Sequence, residues 1–243
     1  MSKVVIVTGA SRGIGASTAK LLAAQGYGVC VNYRERKEQA QAVVDAITAQ
    51  GGRAVALQAD VSDESEVVRL FDDVSHRLGP VTHLVNNVGV LFTQSRLADV
   101  DVERFTRVMQ ANVTSCFLCC REAARRFSFG GAIVNLSSVA ARLGAPFEYV
   151  DYAASKGAVE SLTKGLATEL AGQGVRVNAV SPGLIYTDIH ADGGEPGRVD
   201  RIGPMLPMKR GGQPDEVANA IAWLLSDEAS YVTGSILEVA GGR

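Results

Sequence analysis

The sequence predicts a single α/β domain: a seven-stranded, mainly parallel sheet, doubly wound by helices on its two faces. Three observations predict it. Short apolar runs alternate with longer amphipathic stretches along the whole 243-residue chain. The runs are continuously apolar rather than alternating, as strands buried on both faces require. No linker, internal repeat or low-complexity segment divides the chain, so residues 1–243 read as one domain.

The elements follow in order. Val4–Val7 is the first strand, and Val29–Val31, Ala54–Leu57 and Leu84–Val85 are the next three. Ala132–Leu136, Val175–Val180 and Ile236–Val239 complete the seven. They are rich in β-branched residues and mostly bounded by Gly, Asn, Asp or Ser. Between them, helical spacing covers 14–25, 36–50, 63–78, 102–127, 152–171 and 214–226. Asp63 with Glu66 suits a capped helix start; Asp101 with Arg104 suits one only partly. The connection Phe127–Gly131 is short. From His190 to Pro214 the density of Gly and Pro breaks regular structure, and a loop that long reads as a lid over a ligand. A plain surface loop is the alternative.

Composition removes several functions. Lys plus Arg number 24 against 26 Asp plus Glu, a formal charge of −2, so no basic excess points to nucleic acid or an anionic membrane surface. Aromatic residues are 6% of the chain, too few for base-stacking platforms. Cys116-x-x-Cys119 has no second pair or nearby His to complete a metal set, so Cys30, Cys116, Cys119 and Cys120 read as free buried thiols. His76 and His83 take structural or surface roles, and His190 lies near the substrate loop without metal geometry. Val4–Val7 is too short for a signal-peptide core, and no apolar stretch approaches the ~18–20 residues of a membrane span. A cytoplasmic protein is the default expectation.

The first strand runs into Thr8-Gly9-Ala10-Ser11-Arg12-Gly13-Ile14-Gly15 and then a helix. Glycines there allow a tight turn and close backbone approach, and the helix start offers free N–H groups to a pyrophosphate. The second strand ends Val31-Asn32-Tyr33-Arg34. An acid at that tip would bind the 2′-hydroxyl of NAD; an arginine accommodates the 2′-phosphate of NADP. Arg34 and Arg12 can face such a dianion, so NADP is favoured and NAD remains possible. Glu35 can pair with one of these arginines or take the ribose itself. Asp60-Val61 after the third strand can meet adenine, or Asp60 can simply start the next helix. Asn87 and Gly89, in Asn86-Asn87-Val88-Gly89, can bridge backbone segments and admit a cofactor, although a plain turn reads the same way.

Tyr152 and Lys156 share one helix face, where an ammonium can lower a phenol's pKa and make it an acid/base group. Ser137 and Ser138 end the fifth strand, at the sheet edge where this fold class binds ligands. Asn112 is a polar amide on or beside the apolar stripe Phe105, Val108, Met109, Val113, Cys116 and Phe117. It is either a structural buried amide or the holder of a relay water.

With Ser181-Pro182-Gly183, these motifs stand in the order seen in the short-chain dehydrogenase/reductase superfamily, which the chain resembles over essentially its whole length. The resemblance implies a Rossmann domain and hydride transfer between a nicotinamide cofactor and a small carbonyl or alcohol substrate. It assigns Tyr152 as acid/base, Lys156 to pKa lowering and ribose binding, Ser138 to substrate orientation and Asn112 to a proton relay. Ile185 and Thr187, after Pro182-Gly183, are implied at the nicotinamide end. The nearest members in character are 3-oxoacyl-carrier-protein reductases and glucose dehydrogenases. A homo-oligomer, tetramer or dimer, is implied, with the helices over 102–127 and 152–171 as interfaces. Two features depart from the family pattern. Ser138 and Tyr152 stand fourteen residues apart, one more than is commonest, and Val88 replaces the usual Ala. The other class weighed is a non-catalytic NAD(P)-binding regulator, which would need the glycine turn but not Ser138, Tyr152 and Lys156.

Overall fold

The computed structural model describes residues 3–127 and 130–243; Ser128 and Phe129, inside the short connection noted above, lie outside the described residues. The strands are β1 Val4–Val7, β2 Gly28–Tyr33, β3 Arg53–Gln58, β4 His83–Asn86, β5 Gly131–Leu136, β6 Val175–Pro182 and β7 Ile236–Val239. They form one sheet in the order β3-β2-β1-β4-β5-β6-β7. Every neighbouring pair is parallel, so the sheet is parallel throughout rather than mainly so.

Helices α1 (Gly13–Ala24), α2 (Lys37–Ala49), α3 (Glu64–Leu78), α4 (Val102–Met109), α5 (Ser115–Arg126), α6 (Ala140–Leu143), α7 (Val150–Ala171), α8 (Ile189–Asp192), α9 (Arg198–Ile202) and α10 (Pro214–Leu225) complete the fold. Successive strand residues serve opposite faces. Val5 and Val7 pack with Leu22 of α1, Val44 of α2 and Ile221 of α10. Val4 and Ile6 pack with Phe71 of α3, Cys119 of α5 and Val159 of α7. Both residue sets are out of water, which is why β1 reads as an unbroken apolar run.

Two regions depart from the sequence reading. The helix expected over 102–127 is interrupted by a π-helical segment, Gln110–Thr114, between α4 and α5. Asn112 lies in that segment, where side-chain hydrogen bonds offset the irregular backbone. The Gly/Pro-rich stretch 190–214 is not devoid of regular structure, since α8, α9 and a 3₁₀ turn at Gly203–Met205 form within and beside it. Its ends are tied by a bridge between Ile185 and Gly212.

The strand order reverses at β1, whose neighbours are β2 and β4. Ligands in such sheets bind beyond the carboxyl ends of the strands at this reversal.

Candidate active site

A cleft of about 390 Å³ opens at the carboxyl edge of the sheet. Its floor at one end is the turn between β1 and α1. Gly9 and Gly13 there have φ of +60° and +55°, a conformation that side-chain-bearing residues rarely adopt. Gly15 has a different reason: a Cβ there would lie 2.6 Å from Asn87 Nδ2 and 2.8 Å from the Gly9 carbonyl. Asn87 occupies that space because its amide donates to the carbonyls of Thr8 (2.9 Å) and Gly9 (3.0 Å). The side chain thus bolts the end of β4 to the glycine turn. Arg12, at the N-cap of α1, supplies no side-chain acceptor, so the first N–H groups of the helix are left for a ligand. Open glycines beside free helix N–H groups fit a pyrophosphate.

Along one wall, Tyr33 and Arg34 at the tip of β2, then Asp60 and Val61, line the cleft. Arg34 meets Glu35 at 2.7 Å and Asp60 at 3.8 Å. Asp60 also accepts from the Ser62 N–H (2.9 Å) and hydroxyl (2.7 Å). It is therefore not the helix cap; Asp63 caps α3, accepting from the Glu66 N–H at 3.0 Å. Arg12 does not turn toward Arg34. Its guanidinium pairs with Asp188 (3.0 Å) and Asp192, just before and at the end of α8. Burial pulls the Arg12 pKa down, but its hydrogen bonds to Asp192 and Asp188 outweigh this and leave it above the ordinary value.

At the other end stand Ser138, Tyr152 and Lys156. The Ser138 hydroxyl accepts from the Ala140 N–H at 3.2 Å and stands in the cleft with the Tyr152 phenol. The Ser137 hydroxyl instead turns inward to Glu160 at 2.7 Å, which separates the roles of the two serines. Burial pushes the Tyr152 phenol up to about 12, with the Ser138 hydrogen bond acting the other way. Burial also brings the Lys156 ammonium down to about 8, opposed by Cys116. Lys156 Nζ donates to the Leu136 carbonyl at 2.7 Å and lies 5.6 Å from the centre of the Tyr152 ring. Burial sets both shifts, and the Lys156 ammonium is held on the backbone at the end of β5.

The remaining positions divide. Ser11, Ile14, Gly89, Pro182, Gly183, Ile185 and Thr187 join the cleft wall. Gly15 and Asn112 stand behind it. The Asn112 amide is spent on Val90, accepting from its N–H at 2.7 Å and donating to its carbonyl at 3.0 Å, and it reaches Ser155 Oγ at 2.9 Å.

Sequence reading missed several residues of the substrate end. Glu148 and Arg198 both line the cleft and bond each other, and Arg198 also holds Glu195 at 3.0 Å. Asp151, fully buried beside Tyr152, is held by Arg104 at 2.7 Å. Asp151 falls in the first turn of α7, just ahead of the helix read from the sequence over 152–171, so its charge there is the signal that could have found this pair. Ala145 and Phe147, with φ of +43° and +65°, carry the strain of the long Ser138–Tyr152 connection.

Comparison with known proteins decides the family. Residues 9–243 match the family model described as enoyl-(acyl carrier protein) reductase. The chain belongs to the short-chain dehydrogenase/reductase family. The Escherichia coli K12 oxidoreductase YgfF is 58% identical, with 99% of each chain covered. The 3beta-hydroxysteroid dehydrogenase 1 of Eggerthella lenta is 43% identical over 99% of this chain and 93% of its own length. A Staphylococcus aureus 3-oxoacyl-[acyl-carrier-protein] reductase is 40% identical over 100% and 98%. The crystal structure of a dehydrogenase/reductase from Sinorhizobium meliloti 1021 superposes with a TM-score of 0.93 at 36% identity, covering 100% of this chain and 95% of that one. As a short-chain dehydrogenase/reductase, the protein is a nicotinamide-dependent oxidoreductase acting on carbonyl or alcohol groups of small molecules. No helix among the described residues is long and apolar enough to cross a membrane.

Proposed function

We propose that this short-chain oxidoreductase prefers NADP(H) and that Tyr152 exchanges a proton with the substrate oxygen. The observation that carries the reading is that Ser138, Tyr152 and Lys156 line one end of the cleft whose far end is the glycine turn, with Ser138 favouring ionisation of the Tyr152 phenol. The two hydroxyls bracket one position where a carbonyl or alcohol oxygen can sit. With its phenol held up to about 12, Tyr152 is protonated at neutral pH and donates that proton as a carbonyl oxygen becomes a hydroxyl. In the opposite direction the phenolate is the base, and the Lys156 ammonium supplies the charge that favours it. Asn112 works by position: it fixes Val90, and its oxygen and Lys156 Nζ both face Gly89.

Gly9, Ser11, Gly13 and Ile14 would hold the pyrophosphate, and Tyr33 with Arg34 the 2′-phosphate. Asp60 and Val61 would meet adenine. Asn87, Gly89, Pro182, Gly183, Ile185 and Thr187 would enclose the nicotinamide half. The bound nicotinamide ring supplies or takes up the hydride. Phe105 and Phe117, 41% and 43% exposed on α4 and α5, support a homo-oligomer, a tetramer on family grounds; a cytoplasmic location is taken by default.

Titration with NADPH and NADH, then cofactor consumption against a ketone panel with wild type and Tyr152→Phe, tests the reading. NADPH is expected to bind more tightly, and Tyr152→Phe to bind it normally without turnover. Unchanged turnover in Tyr152→Phe removes the tyrosine from the proton transfer.

A further inference from the structure

Arg12 stands immediately before Gly13, and both arms of its guanidinium are occupied by the entry to the lid, the segment 187–192: Nη1 holds Asp188 at 3.0 Å and Nη2 holds Asp192. With one carboxylate on each Nη, another anion can engage this guanidinium strongly only by displacing charge already paired with it. That segment lies close to the glycine turn, since a Cβ on Gly13 would meet Thr187 Cγ2 at 3.3 Å.

The turn carrying Arg12 also abuts the tip of β2. The Ala10 N–H donates to the Asn32 carbonyl at 2.8 Å, and the Gly9 N–H reaches Asn32 Oδ1 at 3.3 Å. Arg34 follows Asn32 by two residues. Arg12 and Arg34 therefore flank the backbone junction at which the adenosine ribose is placed above. Around them, two guanidinium groups face four carboxylates: Asp188, Asp192, Glu35 and Asp60. That surplus of acid disfavours a phosphate dianion unless a carboxylate gives way.

We propose that Asp188 and Asp192 set the cofactor selectivity of this enzyme by holding Arg12 in the lid, so that a 2′-phosphate must take the guanidinium from them whereas a 2′-hydroxyl makes no such demand. The inference rests on the reading of the cleft as a nicotinamide dinucleotide site. It couples lid and cofactor: the same guanidinium serves as the lid's clasp or as a phosphate ligand. The lid keeps other anchors when the clasp is exchanged. Gln94 binds Glu195 at 2.8 Å, Arg198 joins Glu148 and Glu195, and Ile185 stays bridged to Gly212. Neutralising the two aspartates should therefore free Arg12 without unfastening the lid's far end.

The test is direct titration of purified wild type, Asp188→Asn/Asp192→Asn and the triple variant that adds Arg12→Ala, following nicotinamide fluorescence without substrate. The double variant is expected to tighten NADPH by about tenfold while NADH stays within about threefold, and Arg12→Ala to erase the gain. An unchanged NADPH-to-NADH ratio in the double variant overturns the proposal, as does a gain that survives Arg12→Ala. Wild type that favours NADH removes only the NADP preference, because the shift toward NADPH still belongs to the double variant. Wild type that binds neither dinucleotide removes both readings. Thermal unfolding of each variant checks that the isosteric changes leave the fold intact.

Discussion

Asn112 and Val90 exchange hydrogen bonds in both directions, N–H to Oδ1 at 2.7 Å and Nδ2 to carbonyl at 3.0 Å. The amide thus closes the segment after β4 onto the π-helical break between α4 and α5, behind Lys156. Asn112→Ala would orphan both backbone groups of Val90 and leave Ser155 with one partner fewer. A loss of about 1–3 kcal/mol in urea unfolding is expected, with a fall in kcat larger than any rise in KM. A variant as stable as wild type would show that the amide is dispensable.

The two serines after β5 should separate by phenotype. Ser138→Ala removes the hydroxyl that shares the cleft with Tyr152 and should lower kcat by roughly 10²-fold or more, with unfolding nearly unchanged. Ser137→Ala removes the inward bond to Glu160 and should cost about 1 kcal/mol of stability with activity largely kept. The reverse order would assign substrate contact to Ser137.

Arg34→Ala should weaken NADPH binding about tenfold and NADH less than about threefold, as loss of one charge-assisted phosphate contact predicts. Equal losses for both cofactors in calorimetric titration would refute contact with the 2′-phosphate.

Gly15→Ala places a methyl group against the Gly9 carbonyl and the Asn87 amide. Asn87 cannot yield without releasing Thr8 and Gly9. The expected result is destabilisation of about 1–3 kcal/mol and weaker binding of NADPH and NADH alike. Wild-type affinity for both would show that the bolt between β4 and the turn has slack.

Lys156 gives a pH signature. Its ordinary pKa of 10.5 is brought to about 8 in the fold. Between those values the unfolded chain keeps a proton that the folded chain has lost, so this group's contribution to stability rises with pH, by roughly 3 kcal/mol in all. Below pH 8 the buried ammonium costs that amount. Burial pushes the Cys30 and Cys119 thiols up, which lowers stability above pH 9. The Lys156 step must therefore be read as the difference between wild type and Lys156→Met, unfolded in urea at pH 7 and 9.5. Parallel pH profiles for the two proteins would contradict it.

Strand positions were legible because burial on both faces leaves continuous apolar runs, as in Val4–Val7. The glycine turn and the Tyr152–Lys156 pair were legible because their spacing is local. The π-helical break was not, because 102–127 keeps helical spacing through Asn112 and only the contact with Val90, distant in sequence, marks it. The Arg12 clasp was hidden for a related reason. Arg12 reads as a phosphate ligand until the chain returns, at Asp188 and Asp192, to claim it. The Arg198–Glu148 bond and the Arg104–Asp151 pair likewise join segments whose proximity the topology alone creates.

The strand order also governs how the molecule can be made. β1 pairs on one side with β2, which follows at once, but its other neighbour begins at His83. A chain emerging from its N-terminus therefore holds a half-finished ribbon of β3, β2 and β1 with an unpaired edge until β4 arrives. The growing edge then passes to β4, β5 and β6 in turn, and β6 waits for Ile236 before β7 covers it. Such non-local pairing slows folding and leaves adhesive edges exposed meanwhile. Synthesis and refolding should therefore be most prone to aggregation while a sheet edge is open, before the final strand closes on β6.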